Sequence, residues 1–148
     1  MHIKMSDFFM GMGRDFTMEV LDIAEKLAQQ EKDVLFREGE PARHFYVLLK
    51  GRVKLSLGDS GPVVYMVRQP GEIIGWSGLI APHTAAANAR ALTPCEVISI
   101  SRKPLQAHFE TDWQLGYLMV QKAAVVVRDR LRDLRLEVAS LQETAGAS

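Results

Sequence analysis

Hydrophobic residues change their spacing twice along the chain, and each change marks a different kind of element. From Thr17 the apolar residues Met18, Leu21, Ala24 and Leu27 recur at steps of three, while Glu19, Glu25 and Lys26 are free to face water. That is the period of an amphipathic helix, so residues 1–32 are expected to form an N-terminal helical arm. Ahead of it, Phe8-Phe9-Met10-Gly11-Met12-Gly13 is apolar but broken by glycine, as in an arm or short helix that packs on something.

Between residues 33 and 101 the helical period disappears. Short β-rich runs take its place: Val34 to Phe36, Phe45 to Leu49, Val53 to Leu57, Val63 to Val67, Glu72 to Ile74, Ala86 to Leu92 and Glu96 to Ile100. Turn signals separate them at close intervals, including Gly39-Glu40-Pro41, Lys50-Gly51, Gly58 to Pro62, Pro70-Gly71 and Thr93-Pro94. Many short strands with regular glycine turns predict an antiparallel barrel or jelly roll.

Residues 102–142 are helical again. Ser101 is placed to cap a short helix from Arg102 to Phe109, with Pro104 in its first turn, and Thr111 to Gln114 has capping-box spacing. The helix that follows is expected to run to about Gln142. Along it Tyr117, Val120, Ala124, Val127, Leu131, Leu134, Val138 and Leu141 alternate steps of three and four, a heptad seam. Before Leu131 other faces are apolar too (Leu118, Met119, Val125, Val126), so that half is expected to bury against the barrel. Beyond Leu131 only the seam is apolar, and its expected partner is the same helix of a second copy, in a twofold dimer. The architecture is therefore mostly β with flanking α, read as one domain over residues 1–148.

Composition narrows the function. The 148 residues are 47% hydrophobic and 24% charged, which excludes a disordered chain. The formal net charge of zero argues against nonspecific binding to nucleic acid or an anionic membrane. A single cysteine, no apolar leader and no membrane-length run predict a cytoplasmic protein, with Cys95 as a buried structural thiol. His44 and His108 lack partners at metal-binding spacing, the acid and histidine pattern of metal-dependent barrel enzymes is absent, and no catalytic triad, P-loop or CxxC pair occurs. Neither an enzyme nor a metal site is expected.

The run from Phe36-Arg37-Glu38-Gly39-Glu40 through Phe45 to Lys54, Pro70-Gly71-Glu72-Ile73-Ile74-Gly75, Ala87 to Ala91 and Cys95 to Ile100 resembles the cyclic-nucleotide-binding domain of the cyclic-AMP receptor protein and FNR superfamily. The resemblance implies a leading helix, an eight-stranded jelly roll, a short helix and a long dimerising helix. In the family's transcription factors a winged helix-turn-helix follows. Here Glu143 to Ser148 are too few for a DNA-reading module, so direct DNA binding is not expected.

The family's phosphate-binding cassette resembles F-G-E-L-A-L, a variable loop, then R-S-A-x-V-x-A. Backbone N–H groups cradle the cyclic phosphate, the Arg neutralises it and the Glu holds the ribose. In this chain Trp76 stands at the Glu position. The Arg position falls on Ala85, or on Thr84 with a slip of one residue, and Arg90 has the opposite strand parity. The candidate binding residues are therefore Gly75, Trp76, Ser77, Gly78, Leu79, Thr84, Ala85, Ala86 and Asn88. Without the charge-assisted contact, affinity for cyclic AMP or cyclic GMP is expected to fall roughly ten- to a hundredfold, so another small anion is equally a candidate ligand.

Two readings of Trp76 stay open, a stacking platform for a flat ligand or a plug that fills the pocket. His83 shares strand parity with Ala85 and is a candidate contact for an anion, metal or haem, against the plainer reading of an exposed loop histidine. Arg128, Arg130 and Leu131 are candidate caps over a ligand, against a charged face with pairs such as Asp129 and Arg132. The expected function is a non-catalytic sensor with a degenerate cassette, signalling to an unknown downstream protein through its dimer helix. The alternative is a ligand-free dimeric scaffold.

Overall fold

The computed structural model describes residues 13–58, 61–78 and 82–146. The apolar arm from Phe8 to Met12, the turn residues Asp59 and Ser60, and Leu79 lie outside them. The chain divides into two compact units, Met1–His108 and Phe109–Ser148.

The first unit begins with helix α1 (Arg14–Ile23) and continues through β1 (Glu25–Gln29), β2 (Val34–Phe36), β3 (His44–Lys50), β4 (Val53–Ser56), β5 (Val63–Val67) and β6 (Ile73–Ile74). A 3-10 turn (Trp76–Gly78), β7 (Asn88–Ala91), β8 (Cys95–Ser101) and helix α2 (Arg102–Thr111) follow, the last running across the boundary between the units. The eight strands form two antiparallel sheets, in the orders β1-β8-β3-β6 and β2-β7-β4-β5. Mostly β structure of this topology, with an N-terminal helix and a long C-terminal helix, is the predicted jelly roll.

One element departs from expectation. The N-terminal helix stops at Ile23, Ala24 turns extended at ψ 137°, and residues 25–29 form a strand rather than two further helical turns. Glu25 to Gln29 pair in register with Ser99 to Cys95, and Lys26 forms an ion pair with Glu96 at 3.3 Å. Local helix propensity yields here to ladder hydrogen bonds supplied by a strand distant in sequence.

The core sits between the sheets. Leu48, Ile74, Cys95 and Val97 from one meet Val53, Val67, Ala89 and Ala91 from the other, all buried. Strands β3 and β8 bury their other face as well. Phe45 pairs with Ile100 and Val47 with Ile98, and α1, with Phe16 and Val20 buried, lies against β8. The β3–β4 turn needs its glycine: Gly51 has φ +101°, and a Cβ there would stand 2.6 Å from the Pro94 carbonyl oxygen and 2.7 Å from Cys95 Sγ. Cys95 is free and buried, its thiol donating to the carbonyls of Arg52 and Thr93 at 3.2 and 3.1 Å.

In the second unit helix α3 (Trp113–Gly146) spans 34 residues. Its cap is Asp112 rather than Thr111, which belongs to α2. Asp112 Oδ1 accepts from the N–H groups of Gln114 and Leu115 at 3.2 and 3.4 Å. Tyr117, Val120, Ala124, Val127, Leu131, Leu134, Val138 and Leu141, the whole heptad seam, are exposed on the single chain. No helix among the described residues is long and apolar enough to cross a membrane.

Candidate functional site

The loop after β6 takes its shape from two glycines. Gly75 has φ +84° and lies against the Phe36 ring. Gly78 closes the 3-10 turn, its N–H donating to the Gly75 carbonyl at 2.9 Å, and a Cβ at Gly78 would fall 2.3 Å from the His44 carbonyl oxygen. Trp76 and Ser77 are thus held on a tight backbone loop seated on β3. Trp76 is half-buried, with its indole Nε1 shielded from solvent.

His83 joins the two halves of the cassette. Its backbone adopts φ +62°, and its Nδ1 lies 2.8 Å from the Ser77 carbonyl oxygen. A carbonyl only accepts, so Nδ1 is the donor and carries the proton. The residues after it are knitted to the 39–42 loop. Ala42 N–H donates to the His83 carbonyl at 2.7 Å, Thr84 bridges Pro41, Ala85 N–H donates to the Glu40 carbonyl at 2.8 Å, and Gly39 N–H donates to the Ala85 carbonyl at 2.9 Å. Ala85 is buried, whereas Thr84 and Ala86 are exposed. No side chain at 84 or 85 supplies a cation. Arg90 is exposed between the buried Ala89 and Ala91, as its strand parity requires.

Asn88 does not join the others. Its Oδ1 accepts from the Glu38 N–H and its amide donates to the Gly58 carbonyl, each at 2.7 Å, while Glu38 Oε1 accepts from the Gly58 N–H at 2.9 Å. Asn88 therefore clamps two loops, on the opposite strand parity from Ala89. The candidate caps Arg128, Arg130 and Leu131 lie on α3, in the second unit. There Arg128 pairs with Asp129 at 3.4 Å and Arg132 with Asp133 at 3.7 Å, so the ion pairs join chain neighbours rather than Asp129 to Arg132.

Three aromatic residues belong beside the cassette that motif spacing did not single out. Phe36 stacks on Tyr46 with ring centroids 6.1 Å apart and 22° between planes, and His44 lies 6.5 Å from Tyr46. His44, Tyr46 and Leu48 share a strand face, and Leu48 belongs to the inter-sheet core, so this row lines the inside of the roll. The usable signal was period-two parity along β3, with Leu48 as its marker. Burial holds the Tyr46 phenol above its ordinary value, and the negative charge of Glu40 adds to that.

Two four-stranded antiparallel sheets, flanking helices and a glycine-shaped loop between β6 and β7 define the class: a jelly-roll domain. The cyclic nucleotide-binding domain family matches residues 28–112, more than half of the chain, and the chain belongs to that family. Two solved structures share substantial sequence with it. A Geobacter metallireducens GS-15 protein, assigned to the cyclic nucleotide-binding proteins, is 28% identical with TM-score 0.79, over 88% of this chain and 96% of its own. A cyclic nucleotide-binding-like protein from Brucella abortus is 30% identical with TM-score 0.62, over 73% and 96%. The sensor domain of the transcriptional regulator DNR from Pseudomonas aeruginosa, 19% identical with TM-score 0.70 over 88% and 91%, shares the fold. None of the curated proteins compared matches the chain.

Proposed function

We propose that this chain is a non-catalytic sensor module of the cyclic nucleotide-binding type whose cassette does not hold a cyclic nucleotide tightly. The observation that carries this reading is Ala85: the family resemblance puts the phosphate-binding arginine there, and a small buried side chain tied by its backbone to Gly39 and Glu40 occupies it. The backbone loop at 75–78 and the aromatic row of Phe36, His44 and Tyr46 suit a ligand recognised by shape and stacking more than by charge. Signalling is through a homodimer formed by the exposed seam of α3, with ligand at the cassette biasing what the dimer presents to a protein partner.

The test is a calorimetric titration of the protein with cyclic AMP and cyclic GMP. The expected result is no binding in the low micromolar range. A dissociation constant of a few micromolar or below would overturn the degenerate-cassette reading and make the chain a second-messenger receptor.

The shielded Trp76 Nε1 favours a second reading, a ligand-free scaffold whose indole fills the pocket. Trp113 is 73% exposed, so a Trp113→Phe background isolates the Trp76 emission. A change in that emission with any candidate ligand favours the sensor. Emission indifferent to every ligand that binds elsewhere favours the scaffold.

A further inference from the structure

A second concave site lies on the other side of the β2-β7-β4-β5 sheet from the core. A cavity of about 50 Å³, above the roughly 10–15 Å³ that one water needs, is lined by Val34, Arg37, Lys54, Ser56, Asn88, Ala89 and Arg90. Three of these are cations and none is a carboxylate. Lys54 and Arg90 are direct cross-strand partners, which sets their Cβ atoms about 4.5–5.5 Å apart on one face. Like charges so placed repel, and a chain of zero net charge has acids enough to neutralise them. Among the described residues, however, no ion pair engages Arg37, Lys54 or Arg90. Glu38, the neighbour of Arg37, turns its Oε1 to the Gly58 N–H instead. Ser56, only 9% exposed, adds a hydroxyl to the lining.

We infer that this cavity binds a phosphoryl group in its dianionic form, with Arg37, Lys54 and Arg90 sharing its charge. Two guanidinium groups and an ammonium suit a tetrahedral oxyanion of charge two, because arginine offers paired donors and lysine a point charge. The cyclic phosphodiester of a cyclic nucleotide carries one charge and suits the site less well. Strand parity separates the two sites. Arg90 projects away from the face on which Ala89 and Ala91 meet the core, so this inference stands independently of the cassette.

The experiment is calorimetry and thermal unfolding at pH 8 with inorganic phosphate and, separately, phosphoserine, each against sodium chloride at equal ionic strength. Saturable binding that raises the melting temperature is expected, weakened at least tenfold by Arg90→Gln and by Lys54→Gln. Arg90 is exposed, so the first variant is expected to fold, and without phosphate to unfold no earlier than wild type, since it relieves a like-charge pair. Binding of phosphoserine alone would place the phosphoryl group on an organic carrier; equal binding of both would identify the free ion as sufficient. Absence of saturable binding, binding undiminished in both variants, or an equal effect from chloride would overturn the inference, the last by reducing it to screening.

Discussion

In the proposed reading Ala85 and Trp76 set the chemistry of the cassette between them: the family resemblance implies a cation where the buried Ala85 methyl stands and a carboxylate acceptor where the Trp76 indole stands. Restoring both, in the double variant Ala85→Arg with Trp76→Glu, is expected to raise cyclic-nucleotide affinity at least tenfold by calorimetry. If the altered protein folds and gains nothing, the cassette has been aligned wrongly. Tyr46 makes a prediction of a different kind. Its titration lies above the ordinary 10.0 in the folded chain, so at alkaline pH the unfolded chain loses that proton first. Its contribution is therefore complete below pH 10.0 and declines as pH rises through the folded value. As pH rises above 10.0 the melting temperature of wild type is expected to fall more steeply than that of Tyr46→Phe. An equal slope would remove Tyr46 as the cause. At this scale motif spacing pointed to Gly75 and Gly78, which shape the loop after β6, but it grouped Asn88 with them. Only the fold shows that the Asn88 amide is committed to Glu38 and Gly58.

Among the elements, the long helix was the most legible and the first strand the least. A heptad repeat is a local property, so the seam could be read from one stretch of chain, and its apolar residues stand exposed on the single chain as an unpartnered face does. Leu131→Asp or Leu134→Asp, at positions 46% and 48% exposed, is expected to yield a folded monomer by light scattering. An unchanged dimer mass would exclude this seam as the interface. Strand β1 was illegible for the opposite reason. Glu25, Lys26, Leu27, Ala28 and Gln29 are all good helix formers, and what makes them a strand is β8, far along the chain. The Asp112 cap shows the same limit in miniature, since both Thr111 and Asp112 can cap and only the end of α2 decides.

For the molecule as a whole, totals conceal arrangement. A net charge of zero correctly describes the chain, yet three cations gather on one sheet face, and no linear pattern links Arg37, Lys54 and Arg90 until β2, β4 and β7 are laid side by side. The pairing of the strands is nested: β4 with β5, β3 with β6, β2 with β7 and β1 with β8. During synthesis the inner hairpin can close as soon as it leaves the ribosome, whereas β1 emerges early and must wait for Cys95 to Ser99 to be made. Long-range closure of this kind is slow, and a waiting strand is open to pairing with a neighbouring nascent chain. Glu25 and Lys26, the charges that make β1 resemble a helix, are the residues that deter such pairing until its partner arrives.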